Sequence, residues 1–317
     1  MQIRILGSAA GGGLPQWNCR CPNCAAVRAG SPDITARTQS SVAISADSLN
    51  WFLLNVSADV RQQLMAFPKL WPAESATSLA AGVAASIRST SIAGCILTDA
   101  EIDHASGLLQ LREGCAFNIY STPVIARWLS EYLPIYKILA DFAERPQIEI
   151  ALDEILPLAL PNGKPSGLRV RAFEVGRDVP RFVPEDVDDA AGSIIGLQIE
   201  DTVTGGKLVY APGVSSICDA LRDATEQSDG ILIDGTFWTD DEPVWMGITN
   251  RTACEMGHVP VSGSMGTLEW LSQLSLRHRV YVHINNTNPM LNEAGTEWQH
   301  VNHVGVRVGA DGDEFYV

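Results

Sequence analysis

The sequence predicts an α/β fold of two mixed sheets packed face to face with helices outside. Three observations predict it. Short apolar runs of strand length recur from one end of the 317 residues to the other. The early runs are joined by turns, whereas helical patterns increasingly separate the later ones, an order that argues against an all-parallel doubly wound sheet. No repeat with a period of 20 to 50 residues and no low-complexity tract interrupts the pattern, so a solenoid or an array is excluded.

Taken in order, strands are expected at Gln2–Leu6, Ser41–Ser45, Trp51–Asn55 and Ile92–Thr98, then at Leu168–Val175, Ile194–Glu200, Leu208–Ala211, Ile231–Asp234 and Val280–His283. Helices are expected at Val60–Phe67, Ser106–Arg112, Pro123–Tyr132, Ile217–Ala224 and Thr267–Ser275, each with apolar residues three and four apart. Two stretches have no sustained period: Pro68–Ser89, rich in Ala and Ser, and Gly176–Gly192, rich in acidic residues. Excursions of that length in a compact domain are often mobile or cover an active site, and the second stretch is a candidate for the covering role. Residues 1–317 are read as one domain.

With 46% apolar residues the chain can bury a core, which excludes disorder. Its 37 acidic against 22 basic residues give a formal charge of -15, which repels phosphate backbones and anionic lipid and sets nucleic acid and membranes aside as partners. The start MQIRILGSAAGGG is too short in apolar residues for a signal-peptide core, and no run approaches the length of a membrane span. A cytoplasmic protein is therefore expected, with self-association into a homo-oligomer left open.

The glycine-rich segment Gly7-Ser8-Ala9-Ala10-Gly11-Gly12-Gly13 lacks the spacing of both a dinucleotide fingerprint and a phosphate loop. It reads better as turns with positive φ, or as backbone packed tightly beneath a site, than as amides facing an anion. Cys19-Arg20-Cys21-Pro22-Asn23-Cys24 follows, three thiols close enough to reach one tetrahedral structural zinc. The fourth ligand is not legible; His278, His300 and His303 are candidates by residue type alone. Cys95, Cys115, Cys218 and Cys254 are scattered and read as small apolar side chains.

The most informative segment is Thr98-Asp99-Ala100-Glu101-Ile102-Asp103-His104. An apolar run leads directly into three carboxylates at alternate positions, which repel one another unless a cation sits among them. Taken alone, the segment could equally be a solvated loop in which Asp103 caps a helix. Two later strands weigh against that reading, because Gly230–Asp234 delivers Asp234 at its end and Val280–His283 delivers His283. Strand ends are where α/β folds gather ligands, and three of them supplying Asp-His, Asp and His point to a metal.

Thr-x-x-x-x-Asp-His-x-x-Gly, then a strand with Asp and a strand with His, resembles the metallo-β-lactamase superfamily. GSAAGGGLPQWNCRCPNC at 7–24, ARTQSS at 36–41, IDHASGLLQLREG at 102–114, TGGKLVYAPG at 204–213, DGTFW at 234–238, EMGH at 255–258 and HINNTNPML at 283–291 resemble the B-protein family of pyrroloquinoline quinone (PQQ) biosynthesis. The resemblance implies the metallo-β-lactamase αββα four-layer sandwich. It places Asp103, His104, Asp234 and His283 on the superfamily's second metal site, while Asp99 and Glu101 occupy the leading histidine positions of the first.

Two histidines with one or two carboxylates and open positions form the ligand set of non-haem iron(II) sites that activate oxygen. The family resemblance accordingly implies iron- and oxygen-dependent hydroxylation of the tyrosine ring of a cross-linked Glu-Tyr precursor, with precursor and molecular oxygen as partners. Asp103, His104 and His283 would hold Fe(II), or another divalent metal. Asp234 would be a ligand or would orient one, and Asp99 and Glu101 would bind weakly or position substrate. His258 would hydrogen-bond Asp234 or move protons, or be purely structural. Asn285, Asn286 and Asn288 would hold their loop or meet the substrate. A zinc-dependent hydrolase, and a non-catalytic carrier of PQQ or its precursor aiding transport to the periplasm, are the competing readings.

Overall fold

The computed structural model describes residues 1–72, 88–143, 145–184, 187 and 189–317. Its first half gives Gln2–Gly7 (β1), Ser41–Ser45 (β2), Trp51–Leu54 (β3), Ile92–Ile96 (β4), Asn118–Ser121 (β5) and Gln147–Glu149 (β6). The second half gives Ile155–Ala159 (β7), Pro165–Gly176 (β8), Ile194–Asp201 (β9), Lys207–Ala211 (β10), Gly230–Asp234 (β11), His278–Val282 (β12) and Arg307–Val308 (β13). Glu314–Tyr316 (β14) returns to the first sheet, whose order is β14-β1-β2-β3-β4-β5-β6, while the second runs β13-β12-β11-β10-β9-β8-β7.

The period-two alternation of the apolar strands explains why the sheets stack. In β3, Phe52 and Leu54 face the other sheet, while Trp51 and Leu53 face the outer helices. Across the interface, Leu208 and Tyr210 of β10, Leu232 of β11 and Val280 and Val282 of β12 meet them, and Val209, Ile231 and Tyr281 pack on the opposite helices. Strands buried on both faces read as continuous apolar runs rather than alternating ones. Each such Leu, Val or Phe contributes about 1.5–3 kcal/mol of transfer free energy. The expected two mixed sheets with helices outside are what the chain forms.

Each half keeps its parallel strands together: β3–β4–β5–β6 in one sheet and β10–β11–β12–β13 in the other. Parallel strands deliver their carboxyl ends to one edge, so β4, β11 and β12 all end on the same side. The N-terminal loop bridges the sheets there: Ala9 pairs with both Gln39 and Ile284, and the Ile195 amide donates to the Thr98 carbonyl at 2.9 Å.

All nine expected strands occur within a few residues of their expected bounds. The unforeseen β5, β6, β7, β13 and β14 are short or carry exposed or proline positions, and so lack the pattern that marks a strand. Of the expected helices, Ser106–Leu111 is a 3₁₀ helix preceded by a one-turn α-helix at Ile102–Ala105. Pro123–Glu131 begins with Thr122 as its cap and Pro123 in its first turn. Of the excursion Pro68–Ser89, residues 73–87 lie outside the described residues. Among the described residues no helix is long and apolar enough to cross a membrane.

Candidate metal centre

Beyond β4 the chain is pinned by Asn55, whose side chain donates to Thr98 Oγ1 at 2.8 Å and accepts from the Thr98 amide at 2.9 Å. That fixes Asp99, which is buried. Its carboxylate accepts from Thr98 Oγ1 at 2.9 Å, from the Glu101 amide at 2.9 Å and from His104 Nδ1 at 2.7 Å. A carboxylate can only accept here, so Nδ1 carries a proton in either charge state, and in the neutral ring Nε2 of His104 keeps its lone pair. That Nε2 is buried and has no hydrogen-bond partner. It lies 3.9 Å from Asp103 Oδ2, which in turn is 3.5 Å from His283 Nε2.

Asp103, His104 and His283 therefore offer one carboxylate oxygen and two imidazole nitrogens to a common point. An orphaned buried nitrogen aimed at a carboxylate fits a divalent ion, whose bonds of about 2.0–2.2 Å to nitrogen and oxygen would draw these atoms slightly closer. Gly11 lies directly below, where a Cβ would come within 3.2 Å of Asp103 Oδ2. The glycine-rich start is thus close packing beneath a site, with Gly12 and Gly13 at φ of 93° and 68° completing the turn.

His283 leaves β12 at a φ of 54°. Its Nδ1 is 2.9 Å from Thr236 Oγ1, which donates its single proton to Asp234 Oδ1 at 2.6 Å, so the Nδ1 proton goes to the hydroxyl and Nε2 stays free for a metal. Asp234 also accepts from the Thr236 amide at 2.9 Å, the Val214 amide at 3.0 Å and His258 Nδ1 at 2.6 Å. Four donors meet the four lone-pair directions of a fully buried carboxylate, an arrangement that favours the orienting role for Asp234 over direct ligation. Asp234, His258 and His283 are also near enough to form a metal-holding group of their own.

The local charges reinforce one another. Burial works to lower His104, but Asp99, Asp103 and Glu101 outweigh it and carry the imidazole up to about 9. Asp103 is held well below the usual carboxylate range, because the two imidazoles outweigh its burial. Burial, then Asp99 and Asp103, push Glu101 up to about 7. His258 is raised by Asp234 and Asp178 against the opposing effect of burial. A bound cation would relieve the acidic groups and displace the proton from His104.

The metal-facing atoms open into a cleft of about 580 Å³, whose wall includes Asp178, Arg181, Phe182, Phe237, Arg251 and Met256. Part of the Gly176–Gly192 excursion therefore does border the site. His258 lines the cleft too, and its second ring nitrogen has no partner among the described residues.

At the other end of the N-terminal loop, Cys19, Cys21 and Cys24 bring three sulfurs within metal-sharing distance. Burial, then the neighbouring sulfurs, push Cys24 up to about 12, a cost that a divalent ion would reverse.

Several expectations need correction. Asp99 is not a weak ligand: it stands behind His104 and fixes that ring's tautomer. Glu101 belongs to no metal-holding group among the described residues and lines the cleft, crowded by its wall and by the neighbouring carboxylates. His278, His300 and His303 do not join the three thiols: His278 Nε2 lies 3.2 Å from the Tyr316 carbonyl, and His300 packs edge-on against Trp238. Asn288 holds its loop, donating to the Gly235 carbonyl at 2.9 Å, and Asn285 donates to Thr287 Oγ1. Nothing in the linear pattern assigned a role to Thr236 or to the two cleft arginines. The position of Thr236 two residues beyond Asp234 was the available clue.

The four layers and the strand-end cluster define a protein of the metallo-β-lactamase fold, and residues 50–284 match the Beta-lactamase superfamily domain. Coenzyme PQQ synthesis protein B of Pseudomonas putida (strain W619) is 42% identical over 315 residues, covering 98% of each chain. That of Acinetobacter baumannii (strain SDF) is 40% identical over 324 residues with the same coverage. The crystal structure of Zn(2+)-bound PqqB from Methylobacterium extorquens matches with a TM-score of 0.88 at 36% identity, covering 100% of both chains. A diphosphatase of the PhnP family shares the fold alone, with a TM-score of 0.64 at 18% identity over 99% of this chain and 96% of its own. The chain belongs to the coenzyme PQQ synthesis protein B family.

Proposed function

We propose that this chain, whose family acts in PQQ biosynthesis, is an iron-dependent hydroxylase of the tyrosine ring of the cross-linked Glu-Tyr precursor, with molecular oxygen as co-substrate. The observation that carries this reading is the buried, unpartnered His104 Nε2 facing Asp103 Oδ2 and His283 Nε2. Two imidazoles and one carboxylate on a single ion leave coordination positions open. Iron(II) held there would supply oxygen activation.

The chain's own residues do the rest. Asp99 keeps the His104 proton on Nδ1, and Asp234, through Thr236, does the same for His283. His258 is anchored by Asp234 at Nδ1 and borders the cleft, so its other nitrogen is the group to accept or return a proton from the substrate. Phe182, Phe237 and Met256 suit an aromatic ring, and Arg181 and Arg251 suit its carboxylates. Cys19, Cys21 and Cys24 hold a separate, structural zinc, since a closed thiolate site has no position open to substrate.

The test is anaerobic reconstitution with iron(II) or with zinc, followed by precursor and then oxygen. Hydroxylated product with iron alone supports the proposal. The zinc-bound state of the Methylobacterium extorquens protein motivates a second reading, a zinc-dependent hydrolase, which turnover with zinc and no oxygen uptake would establish instead. Tight quinone binding without turnover under either metal would make the chain a carrier.

A further inference from the structure

We propose that the side-chain oxygen of Asn285 receives an amine N–H of the substrate, and that Thr287 and the buried Glu242 hold the amide with this oxygen toward the cleft. The inference rests on the reading of the cleft as the site that takes the cross-linked Glu-Tyr precursor.

Glu242 opens the short helix Glu242–Trp245 and is fully buried. A buried carboxylate needs donors, and it has them in the Trp238 amide at 2.5 Å on Oε2 and Thr287 Oγ1 at 2.6 Å on Oε1. Burial pushes Glu242 up to about 6, which leaves it ionised at neutral pH. An ionised carboxylate only accepts, so the single hydroxyl proton of Thr287 goes to it. Thr287 Oγ1 can then only accept from Asn285, 2.5 Å away, and the atom that faces it is Nδ2. Nitrogen and oxygen of an amide are alike in shape, and this chain of donors is what tells them apart. Oδ1 of Asn285 has no hydrogen-bond partner among the described residues, and the half-buried side chain lines the cleft, so Oδ1 is the acceptor it offers there.

The main chain is held as well. The Asn285 amide donates at 3.0 Å to the carbonyl of Thr236, whose hydroxyl also contacts His283 Nδ1, so Oδ1 is registered against a metal-facing imidazole. An amino-acid substrate carries both carboxylates and amines. Arg181 and Arg251 in the cleft wall can only donate, which suits the first, and the second needs an acceptor. Three of the cleft carboxylates are already engaged: Asp99 with His104, Asp103 with the two metal-facing imidazoles, and Asp178 with Ser215 Oγ at 2.8 Å. Glu101 is the rival acceptor.

The experiment measures anaerobic equilibrium binding to the zinc-loaded full chain. Its probes are the precursor and two analogues, each with hydrogen in place of one amine. The native chain should bind one analogue about tenfold more weakly than the precursor. Asn285→Ala should bind the precursor about tenfold more weakly and no longer distinguish it from that analogue. Glu242→Gln should do the same with active-site metal affinity unchanged. The Trp238 amide keeps the new oxygen, the new N–H faces Thr287, and the Thr287 proton turns to Asn285, so that Nδ2 swings to the cleft. Thr287→Ser, which keeps the hydroxyl, should retain the native discrimination. An amine preference that survives in Asn285→Ala would overturn the proposal and leave Glu101 as the acceptor. One lost in Asn285→Ala but kept in Glu242→Gln would overturn the role of Glu242 and Thr287. If Glu242→Gln does not fold, the contrast of Thr287→Val with Thr287→Ser decides that role. Equal binding of all three probes by the native chain would overturn the amine subsite while leaving the hydroxylase reading intact. A native chain that does not bind the precursor would instead refute the reading on which the inference stands.

Discussion

At the scale of single residues, the centre depends on which nitrogen of each histidine carries the proton. Asp99→Asn keeps the shape but lets an amide N–H face His104 Nδ1, which no longer fixes the tautomer. The expected result is a loss of roughly 10–100-fold in active-site metal affinity with the fold intact, measured by metal titration and circular dichroism. An unchanged affinity would mean that Asp99 does not orient the ring.

A pH dependence follows from His104. Its pKa stands at about 9 in the metal-free chain against an ordinary 6.5, so the folded chain keeps a proton there that the unfolded chain loses. The sign is that of a raised value: this stabilisation of the metal-free fold is complete below about 6.5 and is lost as pH rises through about 9. Metal must displace that proton, so the apparent affinity should rise about tenfold per pH unit through the neutral range and level off above about 9. Titration of the metal-free protein at several pH values checks this, and a flat profile would contradict it.

At the scale of elements, the turn after β4 is locked by contact between backbones. The Val56 amide donates to the His104 carbonyl at 2.7 Å, and the Gly107 amide donates to the Val56 carbonyl at 3.0 Å. A Cβ at Gly107 would lie 2.0 Å from the Ser57 carbonyl oxygen, and backbone cannot step aside as a flexible side chain can. Gly107→Ala should therefore cost about 1–3 kcal/mol in urea unfolding and weaken metal binding by displacing His104. The same substitution at Gly205, where a Cβ meets nothing within 4 Å, should leave metal binding unchanged and cost only the strain of its φ of 75°. The strands were legible because their runs are apolar on both faces. The short helix at Ile102–Ala105 was not, because four residues show no period and its place is set by the Val56 amide, distant in sequence, that binds the His104 carbonyl.

At the scale of the whole molecule, stability rests on the layer between the sheets. Leu54 is fully buried there, and Leu54→Ala should destabilise by about 2–5 kcal/mol, whereas Ile155→Ala, at 59% exposure on an edge strand, should stay within about 0.5 kcal/mol. Chemical denaturation of both variants checks the contrast, and equal effects would show that the inter-sheet layer is not the main store of stability.

The sequence by itself determined the two-sheet plan, the three strand ends that meet, and the clustering of the thiols, because period, apolar run length and local spacing are all properties of the linear chain. Only the tertiary structure decided what each polar group does. Asp99 turned from ligand to orienter, Thr236 became the link between His283 and Asp234, and Asn286 came to lie over the cysteines. The physical reason is that a hydrogen bond is set within a few tenths of an ångström, and residues some 260 positions apart, as Asn286 and Cys24 are, acquire a distance only when the sheets have packed.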